Sequence, residues 1–175
     1  MGLFNRKSDS AISTVSAATV DPALATLTGT YQIDPAHSSI GFTVRHAMVT
    51  NVRGTFASHE GTLQLDGNEP HGSVATIDID IASVDTDVTD RDKNLRSGDF
   101  FDAERFPRMS FRSTEAEQTG DDKYRITGEL TIKDVTRRLS IDLEFQDSAT
   151  DVYGNERVGF ERSTTRKQPT SARRY

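Results

Sequence analysis

IGFTVRH, Ile40–His46, sets the frame in which the rest of the chain is read. Ile40, Phe42, Val44 and His46 fall on one side of an extended segment and Gly41, Thr43 and Arg45 on the other, a period of two. The alternation recurs outward from there. Ile77, Ile79 and Ile81 oppose Thr76, Asp78 and Asp80, and Leu63 and Leu65 flank Gln64. Met109 and Phe111 flank Ser110, and Ile126, Leu130 and Ile132 keep the same phase. Leu139, Ile141, Leu143 and Phe145 oppose Ser140, Asp142 and Glu144. Turn residues separate the runs at Asp66-Gly67, Gly120-Asp121-Asp122, Lys133-Asp134 and Tyr153-Gly154-Asn155. Short turns between one-sided strands predict an all-β fold of antiparallel neighbours. Its apolar face must be buried against a second sheet or by closure into a barrel, and the pattern alone leaves both open. No repeat of 20 to 50 residues is present.

One segment breaks the period: RDKNLRSGDFFD, residues 91–102. Thr89 and Asp92 stand at capping-box spacing, Asp90 and Asp92 suit the first turn, and Gly98 can end the element, so a helix of barely two turns is predicted. So short a helix needs an anchor, which assigns Leu95, Phe100 and Phe101 to packing on the sheet and makes the segment a plug. Arg91, Asp92, Arg96 and Asp99 read as a pairing network that fastens the helix over one mouth, in preference to direct ligand contact. Adjacent extended positions cannot both face inward, so of Phe100 and Phe101 one seals the core and one lines the rim; Phe106 continues that wall.

Length fits one domain, and the absence of cysteine excludes disulfides and thiolate metal sites. A formal charge of -6 opposes binding to nucleic acid, which is driven by neutralising phosphates with Lys and Arg. No stretch reads as a membrane span or a secretory signal, so the expected location is cytoplasmic. Residues 1–29 are rich in Ala, Ser and Thr without sustained periodicity and are expected to form a disordered tail.

The chemistry is sparse. His37, His46, His59 and His71 lack metal-ligand spacing, and no metal or cofactor is expected. Asp85, Asp87, Asp90 and Asp92 miss the calcium-loop pattern, with Asp90 where glycine is wanted and Arg96 where glutamate is wanted. No phosphate loop, dinucleotide fingerprint or nucleophile elbow occurs. By parity His46 faces inward with Phe42 and Val44, where it could be a satisfied core histidine or touch a ligand.

Three pieces carry a resemblance: YQIDPAHSSIGFTVRHAMVTNVRGTF from Tyr31, ASVDTDVTDRDKNLRSGDFFDAERFPRMSFRS from Ala82, and GELTIKDVTRRL from Gly128. Together they resemble the YceI-like family of polyisoprenoid-binding domains over residues 30–161, with Asp134 and Arg138 departing from the usual Gly and Pro. The resemblance tips the fold to a lipocalin-like antiparallel β-barrel and implies an isoprenoid or fatty amphiphile held along its interior. Parity and likeness together select Phe42, Val44, His46, Met48, Phe56, Ile77, Ile79, Phe106, Met109, Phe111, Leu130, Ile141 and Leu143 as ligand-binding residues, with Arg91, Phe100 and Phe101 at the mouth. The expected function is binding or carriage without catalysis, since the inward face from Ile40 to Phe145 reads as almost wholly apolar. Two alternatives stay open: an enzyme with His46 or His37 as acid or base, and an interaction module with a solid core.

From Arg162 the chain reads RSTTRKQPTSARRY, basic and without alternation, where the family continues into further aromatic strands. Residues 162–175 are therefore expected to be an atypical, disordered tail that leaves the barrel incompletely closed, with open strand edges through which a homodimer could form.

Overall fold

The computed structural model describes residues 22–46 and 50–162. Its strands are β1 (Gly29–Gln32), β2 (Ile40–His46), β3 (Thr50–Phe56), β4 (His59–Leu65), β5 (Val74–Asp80), β6 (Val84–Asp85), β7 (Arg108–Gln118), β8 (Lys123–Ile132), β9 (Val135–Thr150) and β10 (Glu156–Arg162). Two short α-helices, α1 (Pro22–Ala25) and α2 (Thr89–Arg96), and two 3-10 turns, Pro70–Gly72 and Ile81–Ser83, complete the described part. Seven strands form one antiparallel sheet in the order β1-β4-β5-β7-β8-β9-β10, and β2, β3 and β6 form a second. Together they make a nearly closed antiparallel barrel with an unsealed seam.

The seam has a side-chain clasp. No ladder joins β1 to β10 among the described residues, yet Arg157 of β10 pairs with Asp34, just beyond β1, and with Asp151 at 3.2 Å. His37 Nδ1–H donates to the same Asp34 carboxylate at 2.9 Å. These contacts, His37 first and Arg157 second, hold the Asp34 carboxyl down to about 2. The backbone N–H of Asn155 chiefly holds Asp151 down to about 2. Tyr31 of β1 and Phe160 of β10 pack in one cluster behind the clasp.

Strand register turns the alternation into rows across the interior, because directly paired residues share a face. Gly61, Ile77, Phe111, Leu130 and Arg137 form one such row. The next holds Ser113, Gly128 and Leu139, and the one beyond it Ala116, Ile126 and Ile141. A Cβ at Gly128 would lie 2.7 Å from Phe111 Cζ and 2.3 Å from the Arg112 carbonyl oxygen. The missing side chain is what lets the Phe111 ring lie across the sheet in mid-barrel.

Apolar packing concentrates at the two ends. Under α2, Phe56, Ile79, Ile81, Val84, Leu95 and Met109 are buried together. At the other end Leu24, Leu27, Leu65, Tyr124 and Phe145 form a second core. Leu24 and Leu27 correct the expected boundary: they lie within the stretch read as a tail, 1–29, yet are only 1% and 4% exposed. A Cβ at Gly67 would sit 1.7 Å from the Leu24 carbonyl oxygen, so this glycine lets α1 close on the β4–β5 turn. The tail reading missed α1 because two leucines in a run of small residues show no period. Its remainder, 1–21, lies outside the described residues, as does 163–175; Arg162 ends β10.

The plug is fastened differently from the expectation. Val88 is the N-cap of α2 and offers no side-chain bond, so the Thr89–Asp92 capping box does not form. Asp92, buried, instead accepts from the Thr86 N–H at 2.9 Å and the Thr86 hydroxyl at 2.6 Å, two donors that a helix-cap role would leave unpaired. Ser97, not Gly98, closes the helix through its N–H and hydroxyl to the Asn94 carbonyl.

Candidate functional site

The site to be weighed is the barrel interior with its uncovered side. β8 pairs β9 over its whole N-terminal half, whereas β10 reaches only as far as Leu143. Residues 135–142 of β9 therefore have a strand on one side and none on the other among the described residues. Val135 and Leu139, inward by register with Ile132 and Gly128, are 49% and 38% exposed. Val44 of β2, paired with Val52, is 53% exposed. From Leu139 the inner face continues through half-buried Ile141 to Leu143. Leu143 lines an apolar cavity of about 40 Å³ shared with Leu63, Leu65, Ala116, Tyr124 and Phe160.

The residues selected from sequence are distributed unevenly around this space. Phe56, Ile79, Met109 and Phe111 are buried, between 4% and 6% exposed, and belong to the packed interior. Phe42, Ile77, Phe101 and Leu130 are half-buried against the core below α2. Ile141 and Leu143 lie on the run from the uncovered side to the cavity. Phe101 stands edge-on to Phe56 with centroids 6.4 Å apart, while Phe100 is 51% exposed and leans on Phe101 at 4.9 Å. Phe106 is half-buried beneath the Arg105 guanidinium, 5.3 Å from the ring centroid.

Arg91 is spent elsewhere. Its Nε donates to the Thr86 hydroxyl and its Nη2 to the Thr86 carbonyl, each at 2.8 Å. Arg96 likewise donates to the Ala82 and Val84 carbonyls at 2.8 and 2.9 Å. The expected network thus runs through Thr86 and backbone carbonyls rather than through ion pairs to Asp99. His46 pairs with Thr50 in the β2–β3 ladder, but its side chain lies outside the described part, as does the whole of Met48. His37 is exposed at the Asp34 clasp.

Polar residues on the inward face contradict an almost wholly apolar one, Ser113 beside Gly128 and Leu139 among them. His59 is in register with Ile79 and only 7% exposed; Arg137 shares the row of Phe111 and Leu130. Both were legible by extending the parity, two residues back from Leu139 for Arg137 and four back from Leu63 for His59. The cavity residues Leu24, Pro70 and Ser73 had no such signal, because they come from a one-turn helix and the β4–β5 connection, outside the alternating strands. Among the described residues no three His, Asp or Glu side chains converge as metal ligands, and no helix is long and apolar enough to cross a membrane.

Comparison with known proteins agrees with this architecture. The chain is 37% identical to a UPF0312 protein of Photorhabdus laumondii over 143 residues, 81% of this chain and 74% of that protein. It is 35% identical to Protein YceI of Escherichia coli over 133 residues, 75% of this chain and 69% of that protein. Among solved structures, the YCEI protein of Campylobacter jejuni superposes with TM-score 0.59 at 33% identity, covering 74% of this chain and 76% of that one. BcnA of Burkholderia cenocepacia superposes with TM-score 0.63 at 25% identity, covering 67% and 74%. The family match runs past Glu161, where the resemblance read from sequence stopped: over residues 31–168 the chain matches the YceI-like domain, and it belongs to that family.

Proposed function

We propose that the barrel binds the hydrocarbon tail of an isoprenoid or other long-chain amphiphile and carries it without chemical change. The observation that carries this reading is the uncovered inner face, where Val44, Val135 and Leu139 remain between 38% and 53% exposed although they share the face of the core residues. Apolar surface left in water on a concave, one-sided sheet is relieved by hydrocarbon. Each five-carbon unit so covered gains on the order of 4 kcal/mol before ordering costs are subtracted.

The cavity sets how the tail lies. At about 40 Å³ it is smaller than the roughly 150 Å³ that accepts a benzene ring, so it takes the end of a chain rather than its length. The rest of the tail follows Leu139, Ile141 and Leu143 along the uncovered side. Binding is favoured over catalysis because buried His59 and exposed Arg137, ionisable groups of the inward face, stand in different rows with no partner acid or base in either row.

Native mass spectrometry of gently purified protein, with displacement of a fluorescent fatty probe, tests the reading. Adduct masses and probe displacement are expected, and Leu139→Glu should weaken the probe without lowering the melting temperature. A clean apo mass with no probe uptake overturns it. The edge of β9 that carries no second strand among the described residues also supports pairing of two copies; a concentration-dependent dimer that takes up no probe would favour that role instead.

A further inference from the structure

His59 is the least settled group of the interior. It lies on the inward face of β4 opposite Ile79, 7% exposed. Its Nδ1 is 3.1 Å from the Phe56 carbonyl oxygen. A carbonyl oxygen only accepts, so Nδ1 carries the proton, and Nε2 of the neutral ring presents a lone pair. Nε2 is buried and finds no partner among the described residues. Buried polar atoms are seldom left so, because an unmade hydrogen bond there costs more than a made one gains.

We infer that His59 Nε2 is the polar recognition point of the barrel, accepting a hydrogen bond from the hydroxyl of an isoprenoid or fatty alcohol. The inference rests on the amphiphile reading above and narrows it. An acceptor selects a donor, so an alcohol is preferred to its ether, ester or parent hydrocarbon of equal tail. Nothing else in the row of His59, Ile79 and Met109 offers a polar side chain.

The test compares farnesol with farnesyl methyl ether as displacers of the fluorescent fatty probe, in the wild-type protein and in His59→Phe. Wild type should bind the alcohol about tenfold more tightly. In His59→Phe the two affinities should converge to within about twofold, with that for the ether retained. Equal affinities in the wild type, or a preference that survives in His59→Phe, overturn the inference alone. If neither compound displaces the probe, the amphiphile reading fails and this inference falls with it. A second measurement needs no variant: in 15N NMR of the wild-type protein, the His59 Nε2 resonance should move on adding farnesol and stay still on adding the ether. An Nε2 already hydrogen-bonded before addition, and unmoved by farnesol, shows a buried water in that role and overturns the inference.

Discussion

Replacing Phe111 by alanine probes the packing on which the interior depends. The ring is 4% exposed and lies against the bare backbone of Gly128, its Cζ within 2.7 Å of where a Cβ there would be. Phe→Ala in a core costs about 3–5 kcal/mol, the larger values where the surroundings cannot collapse. Here Gly128 has no side chain to move into the void, and Ile77 and Leu130 are fixed in the ladders on either side. The upper half of that range, about 4–5 kcal/mol, is therefore expected. For a chain of this length it corresponds to a fall in Tm of about 8–20 °C. Urea unfolding should show a lower midpoint with an unchanged slope, since the surface exposed on unfolding barely alters. Phe100→Ala, at a half-exposed site, should cost less than about 1 kcal/mol. A loss below about 1 kcal/mol for Phe111→Ala would refute the layered interior, because a ring resting over Gly128 cannot be removed so cheaply.

Further outcomes follow from particular contacts. Leu24→Ala should destabilise by about 2–5 kcal/mol in denaturant unfolding, because the side chain is 1% exposed at the heart of the second core; a neutral result would return α1 to the tail. Asp34 and Asp151 are held down to about 2, against about 3.9 for an unfolded aspartate, so their contribution is complete above about pH 4 and is lost as pH falls towards about 2. Asp34→Asn should flatten the stability profile across that window, and a profile of unchanged slope would show that the clasp is not formed in solution. Lys133 sits at φ 57 in the two-residue β8–β9 turn, where glycine is unstrained; Lys133→Gly should gain about 0.5–1 kcal/mol, read as a higher urea midpoint.

Legibility from sequence tracked the range of the interaction. Inward and outward residues of β4, β5, β7, β8 and β9 follow from a period of two, which is local geometry and needs no partner. The helix at residues 89–96 was legible for the same reason, since its polar run interrupts that period. Its fastening was not: Thr86 competes for Asp92 and Arg91, and nothing in the spacing ranks a hydroxyl and a backbone N–H above a capping box. Buried His59 and exposed Arg137 on the inward face were within reach of parity, but the apolar majority of that face masked them.

By itself the sequence determined an all-β chain of one-sided antiparallel strands, a short helix between two of them, and which side of each strand meets the core. Whether the sheet closes was decided only in three dimensions. Closure brings together β1 and β10, whose clasp residues Asp34 and Arg157 are 123 positions apart, and it depends on sheet curvature summed over seven strands. The cavity likewise draws Leu24, Ser73 and Phe160 from segments with no common period. Alternation is fixed by the bond geometry of adjacent residues, whereas the width of a barrel and what remains uncovered along its seam arise from packing between residues that the chain itself keeps far apart.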